Sequence, residues 1–179
     1  MTVLKIYQAT FAFALGYSLN LLLTIVAKST VGRLRPHFLD LCKPLANATV
    51  LDYVTKFNCT RTVSIVGEKI PLEKLFVDMR KSFPSGHSSV AMFNAVYLTV
   101  YIGTRMPSKR IFLGLGYLLQ SIVLASGIFV CCSRMMDYKH HWSDVLAGSL
   151  LGTLVAFFIV SSSILILIFS HISLQNVTT

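Results

Sequence analysis

Val145–Ser170 reads VLAGSLLGTLVAFFIVSSSILILIFS, 26 residues without a charge. A helix rises about 1.5 Å per residue and the hydrocarbon slab of a bilayer is about 30 Å thick, so this run is long enough to cross it. Working outward, Ile6–Ala27 (22 residues), Ser88–Thr104 (17) and Ile111–Ser133 (23) are also uncharged, and the 17-residue run only just reaches across. The first run is longer than the h-region of a signal peptide, about 7–15 residues, and has no obvious cleavage site behind it, so it reads as a retained span. The 179-residue chain is 54% hydrophobic and 13% charged, with a mean hydropathy of +0.69, whereas soluble domains carry about 25% charged residues. A cytosolic globule, a disordered tail and a disulfide-stapled mini-protein are excluded. The expected fold is all-α, an integral membrane helical bundle in one membrane-embedded domain over 1–179, with four transmembrane helices and one long loop.

The net charge is +9. Most of the excess lies between the apolar runs, which points to phosphate on a lipid head group rather than to nucleic acid. Four crossings put Lys28–His87 and Arg134–Asp144 on one face of the membrane, with Arg105–Arg110 and both termini on the other. The short connection carries Arg105, Lys109 and Arg110 and is cytosolic by the positive-inside rule. The 60-residue loop is then lumenal or extracellular, although it holds ten basic residues against five acidic ones. Two further features agree with that side. Asn47-Ala48-Thr49 and Asn58-Cys59-Thr60 are glycosylation acceptors in the loop, and Cys42 and Cys59 are read as a disulfide in an oxidising compartment. Cys131 and Cys132 read as packing thiols, and Gly148 and Gly152 as a close-packing step in the last helix.

Three polar clusters share the non-cytosolic face. Lys28 and Arg35 are two helical turns apart after the first run, and Pro36 then redirects the chain. These cations suit either an interfacial anchor or an anion site. Phe83-Pro84-Ser85-Gly86-His87 precedes the second run, where Ser85 and the free N–H groups of a helix start suit either a plain cap or a phosphate. Arg134 and His140-His141-Trp142-Ser143-Asp144 lead into the last run. On a helix His140 and Asp144 would be neighbours, the carboxylate fixing the tautomer that leaves the far ring nitrogen free to attack. An interfacial aromatic belt accounts for Trp142 and His141 but not for Arg134 or Asp144. The accompanying cations Lys28, Arg35 and Arg134 repel a metal and attract an oxyanion, so no metal or other cofactor is expected.

Lys28 followed after six residues by Arg35-Pro36, then Pro84-Ser85-Gly86-His87, then Ser133-Arg134 followed by His140 and Asp144, resembles the tripartite signature of the type 2 phosphatidic acid phosphatase superfamily. The flanking GRLRPHFLDLC, FPSGHSS and DYKHHWSDVLAG are similar to its phospholipid phosphatase branch (lipid phosphate phosphatases). The resemblance implies that His140 is the nucleophile that forms a phosphohistidine, that Asp144 orients it, and that His87 is the general acid. It also implies that Lys28, Arg35, Ser85, Gly86 and Arg134 cradle the phosphoryl oxygens.

The substrates so implied are lipid phosphomonoesters: phosphatidate, lysophosphatidate, sphingosine 1-phosphate and ceramide 1-phosphate. Hydrolysis would take place on the lumenal or extracellular face of the plasma membrane or an endomembrane. The implied partners are the lipid substrate and the bilayer, with no nucleic acid and with a homo-oligomer left open. An isoprenoid diphosphate phosphatase and a catalytically silent membrane relative that binds or regulates are the alternatives. Members of this branch have six transmembrane helices and this chain resembles the last four, which implies an N-terminally incomplete sequence. Asn20 and Gln120 are then expected to face acyl chains for want of partner helices.

Overall fold

Apolar runs bounded by Ser, Gly and Pro become helices in the computed structural model, which describes residues 2–37, 64–65, 68–69, 77, 79–107 and 110–177. Helix α1 spans Thr2–Val31, with Lys28 in its last turn, where a cation complements the helix dipole. Gly32 ends it in the left-handed region, at φ 62°. Helix α2 spans Gly86–Arg105 and is capped by Ser85, whose Oγ accepts from the Ser88 N–H at 3.4 Å. Helix α3 spans Arg110–Met136 and helix α4 spans Trp142–Val177. Tyr138, at φ 52°, turns the chain between them. The all-α expectation holds, apart from one two-residue ladder among the described residues: β1 (Ser64–Ile65) runs antiparallel to β2 (Glu68–Lys69). The glycosylation acceptors Asn47 and Asn58 and the half-cystines Cys42 and Cys59 lie outside the described residues.

Among the described residues three stretches are long and apolar enough to cross a membrane: Ile6–Val31, Phe112–Met136 and Trp142–Ser163. Helix α2 is less apolar than α1, α3 and α4 and packs against each of them. A helix enclosed by protein has no need of an apolar face on every side, and α2 buries Ser88 and Ser89 completely. Its apolar face, with Phe93 and Val96, meets Val155, Ala156 and Ile159 of α4. Phe13 of α1 packs on Phe93 and Tyr97 with ring centroids 5.7 and 5.3 Å apart. The Tyr97 hydroxyl donates to the Ala9 carbonyl at 2.7 Å.

Small residues let α4 approach α2 backbone to backbone. A Cβ on Gly148 would collide with the Ser85 carbonyl, and one on Gly152 with the Ser89 carbonyl and the Phe93 nitrogen. The Gly148–Gly152 step is therefore a packing surface, as the sequence suggests. Asn20 and Gln120 differ from expectation, because each is bonded within the bundle. Asn20 is fully buried, its Oδ1 accepting from Ser89 Oγ at 2.8 Å, while Thr24 Oγ1 donates to the same Ser89 hydroxyl at 3.2 Å. Gln120 Nε2 donates to the Thr99 carbonyl at 3.0 Å. In an apolar medium such bonds between helices hold their relative height and rotation.

Gly114 faces open space, so an added methyl is harmless there, whereas at Gly152 it meets main-chain atoms. Gly152→Ala is expected to destabilise the detergent-solubilised protein by about 1–3 kcal/mol, the usual range for overpacking. Gly114→Ala should leave the melting temperature within error of the parent, and thermal unfolding of the two variants side by side is the measurement.

Candidate active site

Main-chain hydrogen bonds lace the three motif segments together. The Arg35 N–H donates to the Met79 carbonyl and the Ser82 N–H to the Arg33 carbonyl, both at 3.0 Å, which joins the chain after α1 to the approach to α2. The Ser85 N–H donates to the Asp144 carbonyl at 2.9 Å and joins α2 to α4. His37 Nδ1 donates to the Tyr138 carbonyl at 3.0 Å, tying the first segment to the α3–α4 turn. Backbone partners leave no freedom for one segment to slide along another without losing bonds in a buried place.

His140 is 5% exposed. Its Nδ1 lies 2.8 Å from the Ser82 carbonyl, which can only accept, so Nδ1 carries the proton and Nε2 the lone pair. Burial, above all, pushes the imidazole down to about 4, with Arg35 and Lys28 acting the same way and the Ser82 bond and Asp144 opposing. It is neutral at physiological pH. His87, just ahead of the apolar run of α2, is also lowered, first by burial and then by Arg134, Lys28, Lys139 and Arg35. Lys28 reaches over the start of α2, where its Nζ would sit 3.2 Å from a Cβ on Gly86. Arg134 holds Asp137 at 3.0 Å, its side chain 21% exposed. Two neutral imidazoles thus stand within the field of four cations, an arrangement that favours an oxyanion.

Asp144 has no exposed surface. Its Oδ1 accepts from Arg33 Nη1 at 2.7 Å, and its Oδ2 from the Ser82 hydroxyl at 2.6 Å and from the His141 N–H at 3.0 Å. The last bond is a helix cap: the carboxylate at the third helical residue reaches back to the N–H that precedes α4. His141 Nδ1 lies 3.2 Å from Oδ2 and His140 Nδ1 3.9 Å from it, beyond hydrogen-bonding distance. The i to i+4 argument for His140 and Asp144 rests on a helix that starts only at Trp142. The two residues are neighbours, but the nitrogen of His140 is held by Ser82.

A match to the model of the PAP2 superfamily covers residues 9–165. The chain belongs to the PAP2 superfamily. It is 39% identical over 162 residues to a putative phosphatidate phosphatase of Drosophila melanogaster, covering 86% of this chain and 41% of that protein. It is 39% identical over 160 residues to phospholipid phosphatase 1 of Rattus norvegicus, covering 88% of this chain and 53% of that one. With phospholipid phosphatase 2 of Homo sapiens it shares 38% identity over 158 residues, 86% of this chain and 50% of that one. The chain thus spans about half the length of the curated relatives it matches. No solved structure matches it.

The eight candidate residues singled out in the sequence, Lys28, Arg35, Ser85, Gly86, His87, Arg134, His140 and Asp144, fall at the meeting of these segments. Arg33, Ser82 and His141, which hold Asp144, were missed. For Arg33 and Ser82 the contact to Asp144 bridges 111 and 62 residues of sequence, which no local spacing announces. His141 was legible as a cap three residues ahead of a carboxylate, but the aromatic-belt reading absorbed it.

Asp144→Asn keeps the shape but replaces one acceptor oxygen with a donor facing Arg33, Ser82 or the His141 N–H. The expected loss of stability is on the order of 2 kcal/mol, discounted because Arg33 remains partly hydrated. Denaturation of Asp144→Asn beside the parent checks this, and unchanged stability would contradict the hub geometry.

Proposed function

We propose that this PAP2 chain carries the catalytic residues of a metal-independent lipid phosphate phosphatase. It would act on phosphomonoesters such as phosphatidate, lysophosphatidate, sphingosine 1-phosphate and ceramide 1-phosphate at the lumenal or extracellular surface of a membrane. The observation that carries the proposal is His140, buried and neutral, with its proton fixed on Nδ1 by Ser82, its Nε2 left unprotonated, and the charges of Arg35 and Lys28 acting on the ring. Four crossings, glycans on Asn47 and Asn58, and a Cys42–Cys59 bridge complete the reading of the chain's orientation.

In this mechanism Nε2 attacks phosphorus, the N–P bond forms as the P–O bond to the lipid breaks, and His87, which becomes protonated when the bound phosphate offsets the surrounding cations, gives its proton to the departing alkoxide. Lys28, Arg35, Arg134, Ser85 and the Gly86 N–H receive the charge that persists on the phosphoryl oxygens. His87, then neutral, takes a proton from water as it attacks the phosphohistidine, the N–P bond breaks, and inorganic phosphate leaves. Neutral histidine nucleophile and cationic cradle together need no metal. The intact His87, His140 and Arg134 weigh against a silent relative, and the similarity to proteins named phospholipid phosphatase favours lipid monoesters over isoprenoid diphosphates.

The test is phosphate release from short-chain phosphatidate by the purified protein in detergent with a strong chelator present. Hydrolysis should persist with the chelator, and His140→Ala should abolish it. His87→Ala should lose about 10²–10⁴-fold on the lipid, and with an ester that has a good leaving group it should still phosphorylate His140, while release of phosphate stays slow because His87 is also the base. Loss of activity on chelation, or normal turnover by His140→Ala, overturns the proposal.

The lowered imidazoles set the pH dependence. Raising the pH through the His140 value frees the nucleophile, so kcat/KM should rise with a midpoint near 4. Raising it further deprotonates the acid, and for free enzyme that limb should lie below the ordinary imidazole value of 6.5, because His87 is lowered. The same limb in kcat should lie higher, since a bound phosphate offsets the surrounding cations. Replacing the lipid with an activated aryl ester should remove the alkaline limb alone.

A further inference from the structure

An ionised carboxylate 3.9 Å from the nucleophile's Nδ1 has a cost. It favours the imidazolium, which has no lone pair with which to attack. The carboxylate could also turn toward Nδ1 and displace the Ser82 carbonyl. The carboxylate makes no such turn in the structure, being drawn elsewhere by Arg33 Nη1 at 2.7 Å, Ser82 Oγ at 2.6 Å and the His141 N–H at 3.0 Å, with His141 Nδ1 3.2 Å from Oδ2. Among these Arg33 alone brings a permanent charge. It comes from the segment after α1, and the same Nη1 lies 2.7 Å from Ser143 Oγ, which fixes the guanidinium against the first turn of α4. Ser82 bridges the two groups, donating its hydroxyl to Asp144 and offering its carbonyl to His140.

We propose that Arg33 is a positioning residue for the nucleophile: by pairing with Asp144 and Ser143 it holds the carboxylate on Ser82 and cancels its charge, so that His140 stays on the Ser82 carbonyl with Nε2 unprotonated. The assignment deepens the reading of His140 as nucleophile and rests on it for its catalytic meaning. Arg33 itself touches no reacting atom. The charges acting on His140 are Arg35 and Lys28 from the first segment and Asp144 from α4. His87 at the start of α2 feels Arg134, Lys28, Lys139 and Arg35. Arg134 of α3 is occupied by Asp137, and His141 lies against Asp144 Oδ2. Removing Arg33 leaves all of these in place and exposes His140 to an uncompensated Asp144.

The test is the titration of the His140 imidazole, followed by nuclear magnetic resonance in histidine-labelled, detergent-solubilised protein and assigned with His140→Gln. In Arg33→Gln the midpoint should rise by about one pH unit, and Arg33→Lys, which keeps the charge, should restore most of the difference. Ser82→Ala removes a donor from Asp144 but keeps the carbonyl, so it should shift His140 the same way by less, and it serves if Arg33→Gln does not fold. The acid limb of kcat/KM on an activated aryl phosphate should move with the titration. A His140 midpoint that stays in place in Arg33→Gln and in Ser82→Ala overturns the inference, even if turnover falls evenly at all pH. A midpoint that moves in a protein without phosphatase activity supports the role of Arg33 in His140 ionisation and defeats the phosphatase reading instead.

Discussion

A carboxylate without exposed surface has to be surrounded by donors, and in this protein the donors come from every part of the site. Asp144 takes Arg33 from the chain after α1, Ser82 from the approach to α2 and the His141 N–H from the turn before α4. Each bond is modest alone, but leaving any of the groups unsatisfied in a buried place is expensive. The arrangement that satisfies Asp144 is also the one that brings the three motif segments into register. His140, His87 and the cations are thereby fixed as a by-product of solving one desolvation problem.

That solution depends on how closely the helices carrying the segments approach. Gly148 and Gly152 remove the side chains that would hold α4 off α2, and the approach lets the Ser85 N–H reach the Asp144 carbonyl. On the other flank Thr24 and Asn20 engage Ser89 one and two turns below Lys28 on the same face of α1. The polar contacts inside the apolar layer set the height of α1 against α2. Lys28 arrives over Gly86 because of contacts made deeper in the bundle.

The fold and the meeting of the motif segments were legible because their signals are written locally. Uncharged runs mark helices, and Pro84, Ser85 and Gly86 mark the start of α2 in consecutive residues. What escaped was whatever depends on a partner far along the chain. Arg33 read as one more cation in a basic stretch, since nothing near it says that a carboxylate 111 residues away is its partner. Asn20 and Gln120 read as stranded polar groups because a sequence shows which residues face one side of a helix but not which neighbour covers that side. The His140–Asp144 spacing suggested a direct bond because it was measured on a helix, while the helix begins two residues after His140.

That displacement of His140 from the helix has a chemical consequence. A residue within α4 would have its orientation set by the helix, and its Nδ1 would face the carboxylate one turn on. Placed in the turn instead, His140 presents Nδ1 to a main-chain carbonyl, a neutral acceptor that fixes the tautomer without the full pull of an anion toward the imidazolium. Asp144 is linked to His140 through Ser82, which gives its hydroxyl to the one and its carbonyl to the other, while Arg33 pairs with the carboxylate. An attacking imidazole is most useful when it is oriented and unprotonated at once, and a carbonyl orients it at less cost to the lone pair than a carboxylate would.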